Sequence, residues 1–325
     1  MATSKSKVLL LGCGSVGTMA AVTLEKSRKA EVTAVLRSNY SFVKEHGFEI
    51  DSIDHGKLSN WRPSRILPSL SEHAAHGPYD YLVIALKNTP DVYSTPELIS
   101  PIIAAGTNTI VLIQNGYDIE QPFLDAFPSC NVLSGVSMIG SFEKNGKVLH
   151  NDPDILYLAS YSRKKSQQQE QVAKTFADMY TGGGASCRLV DDIVFWRWRK
   201  LVWNATFNTI CALTGLDSGS IQEAGGIDLL IRPAMDEVVK LAAAAGYKLP
   251  DDIQQQMIDF TPRELKFKPS MLNDVEAGRP MEIEVILSNP LKVGRKLGVE
   301  TPVLDMIYKV LATVQWKIKQ QISAR

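Results

Sequence analysis

Residues 7–21, KVLLLGCGSVGTMAA, decide the fold of this 325-residue chain. Val8 to Leu11 is an apolar run of strand length, and an apolar helix follows Gly17. Between them, Gly12-Cys13-Gly14-Ser15-Val16-Gly17 has the G-x-G-x-x-G spacing of a dinucleotide-binding βαβ unit. Gly12 permits the tight turn, Gly14 lets the backbone approach a pyrophosphate, and Gly17 lets helix and strand pack closely. The helix start at Ser15 and Val16 offers free N–H groups and partial positive charge to phosphates. Glycines also punctuate ordinary loops. The motif carries weight here because a strand precedes it and a helix follows.

Outward from this turn, the apolar runs keep to strand length. Glu31 to Leu36 (EVTAVL), Tyr81 to Leu86 (YLVIAL), Thr109 to Ile113 (TIVLI) and Asn131 to Met138 read as strands, and Leu156 to Ala159 (LYLA) as an edge strand. Continuous apolar runs alternating with helical stretches suit parallel strands buried on both faces. Gly47 to Leu70 reads as an excursion across one side of the sheet. Composition changes after Gly182-Gly183-Gly184, and from Asp191 the periodicity is helical. Helices are expected over Ile193 to Leu213, Ile227 to Ala245, Asp252 to Asp259, Ser270 to Ala277, and Met281 to Leu297 with a bend at Pro290. A last helix opens at Thr301-Pro302 and runs toward Gln321. The expected class is α/β: a Rossmann-type doubly wound sheet over residues 1–190, binding the nucleotide, followed by an all-helical substrate and catalytic domain over 191–325.

Lys plus Arg and Asp plus Glu both total 35, so no bulk charge draws the chain to nucleic acid or to a membrane surface. The cysteines, Cys13, Cys130, Cys187 and Cys211, include no C-x-x-C pair. That argues against a zinc site or disulfide framework and for a reducing compartment. MATSKSK leads straight into the first strand without room for a signal peptide, and no apolar run is long enough to span a bilayer. The expectation is a soluble, cytoplasmic protein with a small-molecule substrate, no metal and no nucleic-acid or membrane partner. The long apolar C-terminal helices could close a cleft within one chain or pair with a second copy as a homodimer.

Arg37 bears on the choice of nucleotide. An NAD-binding unit carries an acidic residue at the end of its second strand, where it bonds the ribose hydroxyls. Here that strand ends in Arg37, followed by Ser38. A guanidinium pairs with a ribose 2′-phosphate, which a carboxylate repels, so the expected cofactor is NADPH/NADP. The alternative is an arginine that merely faces solvent. Lys87 and Asn115 stand at the ends of two further strands, the edge at which open α/β sheets bind ligands. Lys87 suits a cofactor or substrate charge, and the Asn115 amide suits the nicotinamide carboxamide or a reacting oxygen. The plainer readings are a solubilising lysine and an Asn-Gly turn.

Phe195 to Leu213, FWRWRKLVWNATFNTICAL, is apolar nearly all round, as a buried helix is. At about 100° per residue, Lys200, Asn204 and Asn208 fall in one sector, bordered by Trp196, Trp203 and Phe207. Polar groups on such a helix need partners or a cleft, and a desolvated lysine suits proton donation near neutral pH. Satisfied core amides and a lysine reaching to water are the alternative. In Pro269 to Glu284, PSMLNDVEAGRPMEIE, Ser270 reads as an N-cap whose hydroxyl and neighbouring N–H groups could bind a carboxylate. Glu282 and Glu284 do not share a helix face, so one is expected in a site and the other in solvent.

Taken together, Gly12-x-Gly14-x-x-Gly17, Arg37, Lys87, Asn115-Gly116, Lys200-Leu-x-x-Asn204-x-x-x-Asn208, and Ser270-Met-Leu-Asn-Asp274 followed by Glu282-Ile283 resemble the ketopantoate reductases (2-dehydropantoate 2-reductases). The resemblance spans nearly the whole chain. It implies a Rossmann domain and a helical domain that enclose a cleft, with NADPH reducing the 2-keto group of ketopantoate to give pantoate, a step of pantothenate biosynthesis. It implies Lys200 as the group that protonates or polarises the keto oxygen, and Glu282 as the residue that orients the substrate hydroxyl and Lys200. Asn204 and Asn208 would line the substrate site, Ser270 would hold the carboxylate, Asn115 would stand near the nicotinamide and carbonyl, and Lys87 would contact the cofactor. Phe267 departs from the family's small polar residue before the Ser-Met-Leu segment, and Thr209 from its usual proline. Trp203 and Phe207 add bulk.

Two other readings stay open: a reductase of the same fold for another carbonyl or imine, and a non-catalytic NADP sensor. A sensor needs Arg37 and the glycines but has no use for Lys200 beside paired asparagines and Glu282.

Overall fold

The structure, a computed structural model, describes residues 4–163 and 166–324. Met1 to Thr3, part of the stretch read as leaderless, lie outside the described residues. The chain divides into two compact units. The first comprises Met1–Lys87, Thr95–Gln114 and Glu120–Ile193; the second takes Asn88–Ser94, Asn115–Ile119 and Val194–Arg325.

In the first unit the strands are β1 (Ser6–Leu11), β2 (Ala30–Val35), β3 (Phe48–Ser52), β4 (Gly56–Trp61), β5 (Arg65–Leu67), β6 (Tyr81–Ile84), β7 (Thr109–Ile113), β8 (Asn131–Ser137), β9 (Gly140–Lys144), β10 (Lys147–Asp152), β11 (Ile155–Tyr161) and β12 (Ser186–Leu189). The helices are α1 (Ser15–Lys26), α2 (Tyr40–His46), α3 (Thr95–Ala104), α4 (Gln121–Ala126) and α5 (Gln167–Gly182). The main sheet has the order β12-β11-β8-β7-β6-β1-β2-β5. Val8 of β1 pairs in parallel with Val32 on one side and Tyr81 on the other. After β1 the chain first builds toward β2 and β5 and later returns to β6 on β1's other side. The strand order thus reverses at β1, the point where open sheets bind ligands. Because β1, β2, β6 and β7 run parallel, their C-terminal ends, and with them Gly12, Arg37, Lys87 and Gln114, lie along one edge of this sheet.

A second sheet, β4-β3-β10-β9, accounts for most of the excursion over Gly47 to Leu70 and for a hairpin that the sequence reading passed over. Its turn is Asn145-Gly146, both at positive φ (52° and 76°), which is the residue pair that a two-residue hairpin favours. The second sheet also explains α1. Gly17 through Leu24 are all buried, more than one packing face requires, because α1 packs against β1 and β2 on one side and β9 and β10 on the other. Each fully buried aliphatic side chain there contributes about 1.5–3 kcal/mol. Helix α5 packs on α1 as well, so closely that a Cβ on Gly183 would lie 1.8 Å from the Thr23 carbonyl oxygen.

One strand differs from expectation. The LYLA segment is not an edge: β11 lies between β12 and β8, antiparallel to β8. The edge is β12, whose short SCRL sequence has no buried residue and carries no strand pattern.

The second unit is helical among its described residues. Its elements are α6 (Ile193–Trp203), α7 (Thr209–Thr214), α8 (Ser218–Glu223), α9 (Arg232–Ala244), α10 (Ile253–Asp259), α11 (Ser270–Glu276), α12 (Asn289–Leu297) and α13 (Pro302–Ser323). Three of the expected helices are composite. π turns at Asn204–Asn208, Ile227–Ile231 and Glu284–Ser288 run directly into α7, α9 and α12. Pro233 and Pro290 stand in the first turns of α9 and α12. A proline lacks the N–H that continues the ladder and crowds the preceding turn, which a widened turn relieves. The bend expected at Pro290 is therefore a π turn placed just before it. Thr209 follows the remaining π turn, and its Oγ1 donates to the carbonyls of Ala205 (2.8 Å) and Thr206 (3.0 Å). Its hydroxyl thus bonds within the helix itself. No helix of the described residues is long and apolar enough to cross a membrane.

Candidate active site

In the first unit the glycine turn has the form a pyrophosphate cradle requires. Gly12 sits at φ +96°, and a Cβ there would meet the Leu86 backbone nitrogen at 2.6 Å. A Cβ on Gly17 would lie 1.8 Å from the Gly12 carbonyl oxygen, so the start of α1 folds directly onto the turn. Nothing lies within 4 Å of the Cβ position of Gly14, which leaves the space that an approaching phosphate needs. Gly14 is the N-cap of α1 and brings no side chain to cap it. The N–H groups at Ser15 and Val16 remain available to an anion, while the Ser15 hydroxyl donates to the Ser141 carbonyl at 3.1 Å. The residues present therefore fit a dinucleotide. Burial, then the nearby Glu143, pushes the Cys13 thiol within the turn up to about 12, which keeps it protonated near neutral pH.

Arg37 is exposed just beyond β2, and among the described residues its guanidinium forms no ion pair. Asn39 ties the loop after Arg37 to the glycine turn, its Nδ2 donating to the Cys13 carbonyl at 3.3 Å. Lys87 is exposed beyond β6, and Gln114 Nε2 donates to the Leu86 carbonyl at 2.6 Å, which joins the ends of β6 and β7.

In the second unit, Glu282 is 4% exposed and its Oε1 accepts the Asn88 backbone N–H at 2.8 Å. Glu284 does not face solvent as expected. It is half-buried and accepts the Tyr308 hydroxyl at 2.8 Å, and burial followed by this carboxylate raises the Tyr308 pKa. Asn115 opens the segment Asn115–Ile119, which is held in this unit by several bonds. Arg197 Nη1 donates to the Gly116 carbonyl (3.0 Å), Tyr117 N–H to the Val285 carbonyl (2.8 Å), and Asn289 Nδ2 to the Tyr117 carbonyl (2.9 Å).

Lys200 lies in the last turn of α6 and is half-buried; Asn204 opens the π turn that follows, and Asn208 ends it. The two asparagines differ in kind. Asn208 is fully engaged, with Oδ1 accepting the Met271 N–H at 2.8 Å and Nδ2 donating to Ser270 Oγ at 3.3 Å. Asn204 is 4% exposed, and no hydrogen bond from the described residues reaches its amide. Its amide is therefore available to a partner from outside the chain. Pro269, not Ser270, is the N-cap of α11; Asn208 satisfies that helix start from a distance. Three aromatic rings from positions close to these in the sequence pack together. Trp203 stacks on Phe207 (6.0 Å, 24°) and meets Phe267 (5.9 Å, 56°), and its Nε1 donates to Thr261 Oγ1 at 2.9 Å.

Among the buried polar residues of this unit that escaped the sequence reading are two that hold distant segments. Arg197 is 3% exposed and Gln315 2% exposed, and both bond backbone or side chains of segments inserted far away in sequence. A guanidinium in a helix that is apolar nearly all round was the available signal for Arg197; Gln315 gave none. No metal-binding group of His, Cys, Asp or Glu occurs among the described residues.

These two differently built halves match known proteins along almost their whole length. The family described as Ketopantoate reductase PanE/ApbA matches residues 8–163, and Ketopantoate reductase PanE/ApbA C terminal matches residues 192–315. An uncharacterized Saccharomyces cerevisiae protein, YDL144C, is 34% identical, covering 97% of this chain and 95% of its own length. A 2-dehydropantoate 2-reductase of Nostoc is 27% identical over 95% of both chains. The crystal structure of 2-dehydropantoate 2-reductase from Methylococcus capsulatus superimposes with a TM-score of 0.79 at 32% identity, over 96% of this chain and 97% of that one. The chain belongs to the ketopantoate reductase family, a family of oxidoreductases with an N-terminal Rossmann domain and a helical C-terminal domain.

Proposed function

We propose that this chain reduces a 2-keto acid with NADPH, with 2-dehydropantoate as substrate and pantoate as product. The observation that carries the reading is Asn204, a largely buried residue whose amide has no hydrogen-bond partner among the described residues, four residues after Lys200 along the same run of helix. Family membership supports a nicotinamide cofactor, and the exposed Arg37 beyond β2 supports the 2′-phosphorylated form.

When bound, NADPH would supply a hydride to the keto carbon. The N–H groups at the start of α1 would hold its pyrophosphate, Arg37 would pair with its 2′-phosphate, and Lys87 and Asn115 would complete the cofactor contacts. Lys200 gives its proton to the keto oxygen, so that the charge developing there is met by a cation. Asn204 donates to the same end of the substrate, and Ser270 takes the carboxylate. Asn208 serves the site by fixing Ser270, whose hydroxyl it holds. Glu282 orients the substrate hydroxyl and Lys200.

A second reading within the same chemistry, a bulkier or less polar carbonyl substrate, is favoured by the Phe267–Trp203–Phe207 rings. NADPH oxidation measured with 2-dehydropantoate against aromatic and branched 2-keto acids separates the two. The first reading requires the highest kcat/KM on 2-dehydropantoate, and a preference for an aromatic keto acid replaces it with the second.

A further inference from the structure

We infer that Gln315 is a positioning residue for Glu282, acting through the backbone of Met281 and the segment Asn88–Ser94; the inference rests on the role given above to Glu282. The Gln315 carboxamide lies on α13, 2% exposed, and uses both ends on Met281. Oε1 accepts the Met281 N–H at 2.9 Å and Nε2 donates to the Met281 carbonyl at 3.1 Å. Met281 immediately precedes Glu282. It lies outside any regular element, so no helical ladder fixes its peptide groups. The same Nε2 donates to Asp91 Oδ2 at 3.0 Å. Asp91 is also held by Lys319, one turn further along α13, whose Nζ lies 2.5 Å from Oδ2 and donates to the Asp91 carbonyl at 2.8 Å.

These bonds close a loop. Glu282 Oε1 accepts the Asn88 N–H, so one bond joins the carboxylate to the segment whose other part, Asp91, is held by the amide that also holds Met281. Gln315 thereby fixes both the backbone that carries Glu282 and the segment that its carboxylate grips. A buried carboxylate held by a fixed donor keeps one orientation, and in a reaction that depends on placement an error of about 1 Å costs about a hundredfold. Gln315 itself touches neither Lys200 nor a reacting atom in this account.

The test is a double-mutant cycle between Gln315→Met and Glu282→Gln, read as kcat and KM with NADPH and 2-dehydropantoate, together with hydrogen exchange of the 88–94 backbone. Gln315→Met should lower kcat tenfold or more in the otherwise unmodified protein and less than twofold in the Glu282→Gln background. Exchange over 88–94 should rise, and the NADPH Kd should stay within twofold. Equal losses in both backgrounds make Gln315 an independent structural residue and overturn the inference, as does an unchanged kcat. A Glu282→Gln protein of full activity overturns the functional role of Glu282, and this inference with it. If Gln315→Met fails to fold, Gln315→Glu keeps the acceptor for Met281 and loses the donor to Asp91, and the same comparison applies.

Discussion

Asn208 Oδ1 accepts the backbone N–H of Met271 at 2.8 Å, across 63 residues of chain, and so supplies the cap that the start of α11 lacks in its own sequence. Asn204 opens the same π turn, and its side-chain amide has no hydrogen-bond partner among the described residues. Two asparagines that look equivalent in the sequence therefore have opposite thermodynamic roles. Asn208→Ala should destabilise the fold by about 1–3 kcal/mol, from a lost cap and an orphaned buried N–H. Asn204→Ala should change stability by less than about 1 kcal/mol yet lower kcat/KM tenfold or more. Urea denaturation and steady-state kinetics on both variants check the pair; a reversed pattern rejects the assignment.

Gly14 and Gly17 separate binding from folding in the same way. A Cβ at Gly17 would collide with the Gly12 carbonyl, whereas one at Gly14 meets open space. Gly14→Ala should fold with an unchanged melting temperature and bind NADPH about tenfold more weakly, a loss of about 1.4 kcal/mol. Fluorescence titration with NADPH measures it, and an unaltered Kd means that no phosphate approaches this turn.

Arg37 is the residue on which cofactor choice turns. Arg37→Asp should raise the Kd for NADPH at least tenfold while leaving that for NADH the same or lower, because the new carboxylate repels a 2′-phosphate and accepts from ribose hydroxyls. Equal weakening toward both cofactors would assign Arg37 a general role instead.

The stability of the first unit should fall in mild acid. His55 bonds Thr23 Oγ1 at 2.9 Å, and its pKa is lowered from 6.5 to about 4, first by burial and then by Lys26, with Asp54 opposing. The unfolded chain therefore binds this proton more readily than the folded one. Stability contributed by the neutral ring is complete above 6.5, is lost as pH falls toward about 4, and levels off below that value. Urea midpoints across this range should show the slope, and His55→Gln should flatten it.

Much of this was legible in the sequence because local chemistry and tertiary role coincide. The glycine turn, the buried parallel strands and the helical second half each carry their own periodicity. What was not legible depends on partners distant in the chain. Strand β12 is short and exposed and is recruited only by β11. The π turns keep helical composition while altering helical geometry. Gln315 and Asn208 look like ordinary polar residues until the fold brings Met281 and Met271 to them. The Asn145-Gly146 hairpin is different, since its signal was present in the sequence and was passed over.

The most direct test of the central claim is NADPH oxidation, followed by its absorbance, with 2-dehydropantoate as the acceptor and Lys200→Ala as the comparison. The unmodified protein should turn over steadily to pantoate, and the variant should lose at least a hundredfold in kcat with NADPH binding retained. Turnover that survives Lys200→Ala largely undiminished, or tight NADPH binding with no reduction of 2-dehydropantoate, would contradict that claim.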